Sequence, residues 1–169
     1  MDAEFPERFA ALFQREFPRL YRYLDRLSGE PELAADLAQE AFVRLYRREA
    51  FPDAPEAWLI TVALNLFRNT RNTERRRRRL LTVARGEHAH SDPAPPADQV
   101  AVADEDRRRV AAAVAALPAR ERSLLLLHAA GYRYRDIAEA VGLHEASIGT
   151  LLARARQAFR LAYGSPDAP

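Results

Sequence analysis

Three observations predict an all-α fold of two small helical domains joined by a flexible acidic linker. Apolar residues recur at the helical period through most of the 169 residues, and no stretch of useful length shows the two-residue alternation of a half-buried strand. The periodicity is broken once, at Arg85 to Asp98, RGEHAHSDPAPPAD, where Pro, Asp, His and small residues cannot build a packed face. The predicted organisation is therefore a first domain at 1–84, a linker at 85–106, a second domain at 107–164 and a tail at 165–169. Each domain is small enough that its own core is thin.

Pro6 suits the start of a first helix, whose stripe of Phe9, Leu12, Phe13, Phe17, Leu20, Tyr21, Leu24 and Leu27 ends at Ser28-Gly29. Pro18 is a candidate kink. Pro31 opens a second helix that runs to about Glu49, with Ala34, Leu37, Ala38, Ala41, Phe42 and Leu45 on the buried side. Asp36, Gln39, Glu40, Val43 and Arg47 share the opposite face. After a loop at Ala50 to Pro55, a third helix turns Trp58, Leu59, Val62, Ala63 and Leu66 inward and Thr61, Leu64, Arg68, Arg71 and Arg75 outward. Its periodicity fades after Arg75 to Arg79. Beyond the linker, order resumes near Asp98, with a helix at Ala111 to Leu117, a fresh start at Pro118, an apolar run at Leu124 to Leu127 and a stop at Gly131.

Tyr132 to Arg160 then places small, turn-making and apolar residues at the offsets of a DNA-reading helix-turn-helix. Ala138 lets a second helix approach, Gly142 makes the turn, and Ile148 and Leu151 pack beyond it. On a helix from Glu145, the residues Ile148, Leu151, Leu152, Ala155 and Phe159 gather on one side. Thr150, Ala153, Arg154, Gln157 and Arg160 point outward, giving the polar, cationic face that a major groove accepts.

The net charge of +2 conceals a block pattern: −4 over residues 1–60, +7 over 61–86, −6 over 87–106 and +5 over 107–169. Two basic regions separated by an acidic spacer suggest a chain that touches a polyanion at two places. All 26 cations are Arg. The five consecutive Arg residues at 75–79 extend a helix already bearing Arg68 and Arg71, and engaging about five phosphates gives a salt slope near −4 to −5 on duplex DNA. Phe51 and Trp58 are aromatic candidates for base stacking, with Trp58 also fitting the core by its phase. The Asp36, Gln39, Glu40 face would repel DNA, so any partner there is protein.

Composition argues against several classes. Without Cys there is no disulfide scaffold or thiolate metal site. The N-terminus lacks a basic segment followed by an apolar run, and the longest apolar stretches fall short of a membrane span. A cytoplasmic chain with no membrane insertion is expected. His88, His90 and Asp92 resemble metal ligands only in composition, and no nucleophile, acid-base or phosphate-loop constellation occurs. No enzyme activity, metal or cofactor is expected.

Asp36-Leu37-Ala38-Gln39-Glu40-Ala41-Phe42-Val43-Arg44-Leu45-Tyr46 resembles the core-binding region 2.2 of bacterial sigma-70-type factors, and Ala57 to Asn65 resembles the promoter-melting helix that follows. Leu117 to Arg122, Asp136-Ile137-Ala138 and Arg154-Ala155-Arg156 resemble region 4. Their order and the acidic linker are similar to the extracytoplasmic-function (ECF) group, which has only the sigma2 and sigma4 domains. The resemblance implies that Asp36, Gln39, Glu40, Val43 and Arg47 dock on the β and β′ subunits of RNA polymerase core. It implies that Phe51, Asp53, Asn65, Arg68, Arg71, Arg75 and Arg76 take up the minus-10 element, with a base captured out of the stack, so that binding energy drives melting. Ser147, Gly149, Thr150, Arg154 and Arg156 correspond to minus-35 reading, where an Arg154 contact to guanine is worth about 1 to 3 kcal/mol. Promoter DNA and an anti-sigma factor are the further implied partners, and the linker would thread toward the polymerase channels. Two residues depart from the family: Leu64 stands where Arg is usual, and Gly149 where a polar side chain often reads a base.

A stand-alone helix-turn-helix regulator is the competing reading, with a nucleic-acid-processing enzyme third. A regulator needs a dimer interface to set half-site spacing, and the chain has no heptad seam.

Overall fold

The computed structural model describes residues 4–85 and 103–164. Seven helices span them: α1 Phe5–Ser28, α2 Pro31–Arg48, α3 Pro55–Arg85, α4 Ala103–Ala115, α5 Ala119–Ala129, α6 Tyr134–Val141 and α7 Glu145–Gly164, and no strand occurs among the described residues. Most of the linker predicted at 85–106, the tail at 165–169, and His88, His90 and Asp92 lie outside them.

The helix boundaries follow local chemistry. Pro sits in the first turn of α1 and of α2, where its missing N–H has no helical partner to lose. α1 closes at Gly29, whose φ of 70° lets its N–H donate to Asp25 O at 2.8 Å. Pro18 does not break α1, which is continuous through it with the ring on the exposed side. α3 continues to Arg85, beyond the fading periodicity near Arg79, because Arg is a good helix former and sustains a helix without an apolar stripe. α4 likewise starts at Ala103, ahead of the helix expected at Ala111.

The α2 stripe falls as its spacing predicts, with Ala34, Leu37, Ala38, Ala41, Phe42 and Leu45 buried. α1 turns slightly further than its aromatic stripe suggests. Phe13 is 37% exposed, while Tyr23 and Glu16 are buried. α3 departs most: Leu64, expected outward, is 3% exposed, and Thr61 is half-buried. The reason is that α3 packs on α2 along one side and on α6 along another. A helix with two covered sides has no single stripe for its sequence to reveal.

In the second half, α7 packs against α4, α5 and α6. The two halves are docked, with α1 on α5 and α3 on α6. One core therefore runs through both, joining Leu20, Leu24, Leu45, Leu59 and Ile60 to Leu124, Leu127, Ile137, Ile148 and Leu152. Tyr23, fully buried, donates its hydroxyl to Ser123 Oγ at 3.4 Å across this junction.

Two left-handed residues give opposite expectations for unfolding free energy, measured by denaturant titration. Gly142 ends α6 at φ 70° with open space where a β-carbon would go, so Gly142→Ala costs about 1 kcal/mol through backbone strain alone. Glu49 ends α2 at φ 56°, so Glu49→Gly raises stability by up to about 1 kcal/mol.

Burial pushes the Tyr23 hydroxyl up to about 12 from its usual 10.0, opposed by the Ser123 hydrogen bond and by Arg68. The folded state keeps this proton where the unfolded chain releases it, so the contribution is full below pH 10 and is lost as pH rises from about 10 to 12. Thermal midpoints across that range should fall, and Tyr23→Phe should make the fall shallower.

Candidate nucleic-acid interface

The helix-turn-helix forms at the expected residues. Leu143 N–H donates to Ala138 O at 2.8 Å, the six-to-one bond of a Schellman turn around Gly142. Ala138 is buried at the crossing, and Ile148, Leu152 and Ala155 carry the buried side of α7. Ser147, Thr150 and Arg154 are exposed, whereas Gly149 is half-buried and a β-carbon there would meet Tyr134 Cε2 at 3.8 Å. Arg156 is also half-buried, its Nη2 lying 3.5 Å from His128 Nδ1. Of the predicted readers, Ser147, Thr150 and Arg154 are thus the exposed ones.

The second candidate surface lies where the loop before α3 meets that helix. Arg48, Phe51, Pro52, Asp53, Ala54, Ala57, Trp58 and Thr61 line an open cleft, joined from the other half by Glu139 of α6. Phe51 is held by Phe5, whose ring is tilted 43° to it with centroids 5.1 Å apart, and by the Arg8 guanidinium 4.7 Å from its centroid. Trp58 is half-buried, so it contributes both to the core and to the cleft wall. Asn65, Arg68, Arg75 and Arg76 are exposed along the rest of α3.

Arg71 is different. Its guanidinium bonds Glu30 at 2.9 Å, Glu74 at 3.1 Å and the Ser28 carbonyl at 3.0 Å, and these hydrogen bonds and charges outweigh burial to raise its pKa. It ties the base of the Arg-rich extension to the end of α1. Arg48, Thr61 and Glu139 were missed as cleft residues because the signal that joins them is tertiary.

On α2, Asp36, Gln39 and Arg47 are exposed, and Glu40 and Val43 are half-buried. Glu40 accepts from Arg44 Nε at 2.8 Å in an exposed pair, of a kind worth less than about 1 kcal/mol and easily exchanged for a partner. No helix among the described residues is long and apolar enough to cross a membrane.

The sigma-70 region 2 family matches residues 12–79, and the sigma-70 region 4 family matches residues 107–159. The ECF RNA polymerase sigma factor EcfG of Rhodopseudomonas palustris is 33% identical over 145 residues, which cover 83% of this chain and 75% of that one. This chain belongs to the ECF RNA polymerase sigma factors. A second relative of this sigma factor, SigL of Mycobacterium tuberculosis, is 30% identical over 156 residues, 89% of this chain and 86% of that one. Among solved structures, the sigma factor RpoE of Bartonella quintana, crystallised with the anti-sigma factor NepR, shares the fold. Its TM-score is 0.66 over 95% of this chain and 99% of that chain, at 24% identity. Members of the family are transcription initiation factors, and both sigma regions are present in this one.

The burial of Leu64 bears on its departure from the family. Leu64→Arg should not add a strand contact to this sigma factor but should force a guanidinium into the packed junction, at a cost of about 2 kcal/mol or more in unfolding free energy. An unchanged denaturation midpoint, together with tighter DNA binding, would contradict the buried placement.

Proposed function

We propose that this sigma factor binds RNA polymerase core through Asp36, Gln39, Glu40, Val43 and Arg47, and reads the minus-35 element as duplex through Ser147, Gly149, Thr150, Arg154 and Arg156. The minus-10 element is taken up as melted strand by Phe51, Asp53, Asn65, Arg68, Arg71, Arg75 and Arg76. On this reading the first domain occupies 1–84 and the second 107–164, joined by the linker at 85–106. The chain acts in the cytoplasm without catalysis or cofactor of its own, and an anti-sigma factor is its regulatory partner, as for the Bartonella protein.

The observation that carries the reading is the aromatic-lined cleft at the start of α3, continuous with an exposed cationic helix and distinct from the exposed face of α7. A stand-alone regulator needs only the second of these surfaces. Aromatics beside a cationic track suit unstacked bases, which a duplex does not offer. Within the minus-10 set, Arg71 serves by fixing the direction of the ridge, and direct phosphate contact falls to Arg68, Arg75 and Arg76. On α7 the small Gly149 leaves base discrimination to Thr150 and Arg154.

The test is capture of purified RNA polymerase core by the full chain, followed by run-off transcription on genomic fragments that the assembled complex retains. Gln39→Ala with Glu40→Ala is expected to weaken core capture about tenfold and to leave duplex binding by the full chain unchanged. Duplex binding with no capture of core by the wild-type chain would favour the stand-alone regulator.

A further inference from the structure

The outer end of α3 differs from the rest of that helix. Within the body its core-facing side carries Leu59, Ile60 and Ala63, all buried, with Leu66, Phe67 and Thr70 half-buried beyond them. From Arg75 to Leu81 every residue is exposed, about two helical turns in succession. The helix has left the body by then, and Arg71 fixes the point of departure, since its bonds to Glu30 and to the Ser28 carbonyl lie one turn before the exposed run.

At about 100° per residue, five successive Arg residues reach round the whole helix. Arg75 and Arg79 continue the side of Asn65 and Arg68. Arg77 falls on the reverse side, in line with Leu59, Ala63 and Thr70, and has Leu80 and Leu81 to either side of it, 71% and 52% exposed. Arg76 and Arg78 stand on the two flanks between. A single phosphate chain running along a helix meets one side of it, so a melted strand on Arg68 and Arg75 leaves Arg77, Leu80 and Leu81 turned away. The major groove of a duplex, about 12 Å wide, admits a whole helix and sets a phosphate chain on either flank. Its floor carries guanine acceptors and thymine methyl groups, which suit an Arg between two Leu residues. The sequence from Arg75 to Arg85 contains no acid, and that density of like charge favours a polyanion over a protein surface.

We propose that the outer two turns of α3 are a second duplex-binding element, seated in the major groove of the DNA between the minus-10 and minus-35 elements. The proposal rests on the reading of the α3 cleft as the minus-10 site. Arg77, Leu80 and Leu81 face the floor of the groove, and Arg76 and Arg78 face its two phosphate walls. Arg77 lies about 28 Å along the helix from Trp58 in the cleft, at about 1.5 Å per residue, and that is about eight base pairs at 3.4 Å each. The groove lies on the minus-35 side because α3 runs from the cleft toward Arg85, from which the chain continues to the half that carries the helix-turn-helix.

The test uses the full chain assembled with RNA polymerase core, and forked DNA made from the fragments that this complex retains. The minus-10 segment is single-stranded, and the duplex beside it is either about 4 base pairs long, too short to reach the end of α3, or about 14. Arg77→Ala with Arg78→Ala, both at exposed positions, should weaken binding of the long fork about tenfold and reduce its salt slope by about 1. Binding of the short fork should change by less than about twofold. A second measurement locates the contact directly. The chain has no Cys, so Leu81→Cys and Asn65→Cys each accept a photo-crosslinker at a single site. The label on Leu81→Cys should join both strands of the duplex about eight base pairs from the melted segment, and the label on Asn65→Cys should join the melted segment itself.

Equal loss on both forks, or no loss on either, would overturn the groove contact. So would a Leu81→Cys label that joins polymerase or the melted strand in place of the duplex. A Leu81→Cys label on duplex, together with an Asn65→Cys label that misses the melted segment, would uphold the duplex contact and overturn the assignment of the cleft.

Discussion

An arginine laid across the carbonyl end of a helix is the interaction on which this structure depends, and it recurs at three helix ends among the described residues. Arg71 donates to Ser28 O at the end of α1, Arg122 to Ala115 O and Leu117 O at the end of α4, and Arg19 to Ala130 O and Gly131 O at the end of α5. The last carbonyls of a helix have no donor of their own and carry the negative end of its dipole. A guanidinium meets both needs, because its fork reaches two acceptors in one plane while its charge opposes the dipole. A lysine ammonium would supply the charge without that planar reach. In a chain whose 26 cations are all Arg, the same side chain forms the exposed cationic ridge of α3 and terminates helices within the fold.

The three ends differ in what they join. Arg122 links the α4–α5 corner, and its reach is local. Arg71 joins α3 to α1, and its pairs with Glu30 and Glu74 fix where the Arg-rich extension leaves the body. Arg19 alone of the three crosses from one sigma region to the other, and it does so with a buried countercharge. Two more acids stand near this junction: Asp136, 4% exposed and paired with Arg133 at 3.0 Å, and Glu56, paired with Arg15 at 2.6 Å. Opposed charges at such a boundary define one docked geometry while leaving both surfaces soluble when apart.

What the sequence made legible was local. The helix-turn-helix is set by Ala138, Gly142 and Ile148, all within a dozen residues, and α2 displays its two faces in its own periodicity. The same reasoning fails wherever a neighbour arrives from far along the chain. Thr61 and Ala140 are 79 positions apart, Arg19 and Ala130 are 111 apart, and no helical period encodes a meeting of that kind. Leu64 reads as outward because periodicity draws the stripe of α3 for one packing partner, and α6 is the second. Glu16 reads as a solvated residue in any periodicity argument, since a carboxylate is buried only when partners surround it. Of the candidate site, the aromatic loop and the Arg ridge could be found in the sequence, but Glu139 as a wall of the cleft could not.

That missing wall carries a physical consequence. The cleft is built by both halves, since Glu139 of α6 stands beside Phe51, Asp53 and Trp58, so its shape depends on how α6 rests on α3 and not on α3 alone. An interface held in part by Glu16, Arg19 and two helix carbonyls exchanges those bonds for water if it opens, whereas an equally large apolar contact would expose its whole area at full cost. The far wall of the cleft is therefore only as fixed as that docking, while the wall made by Phe51 and Trp58 belongs to the first half alone.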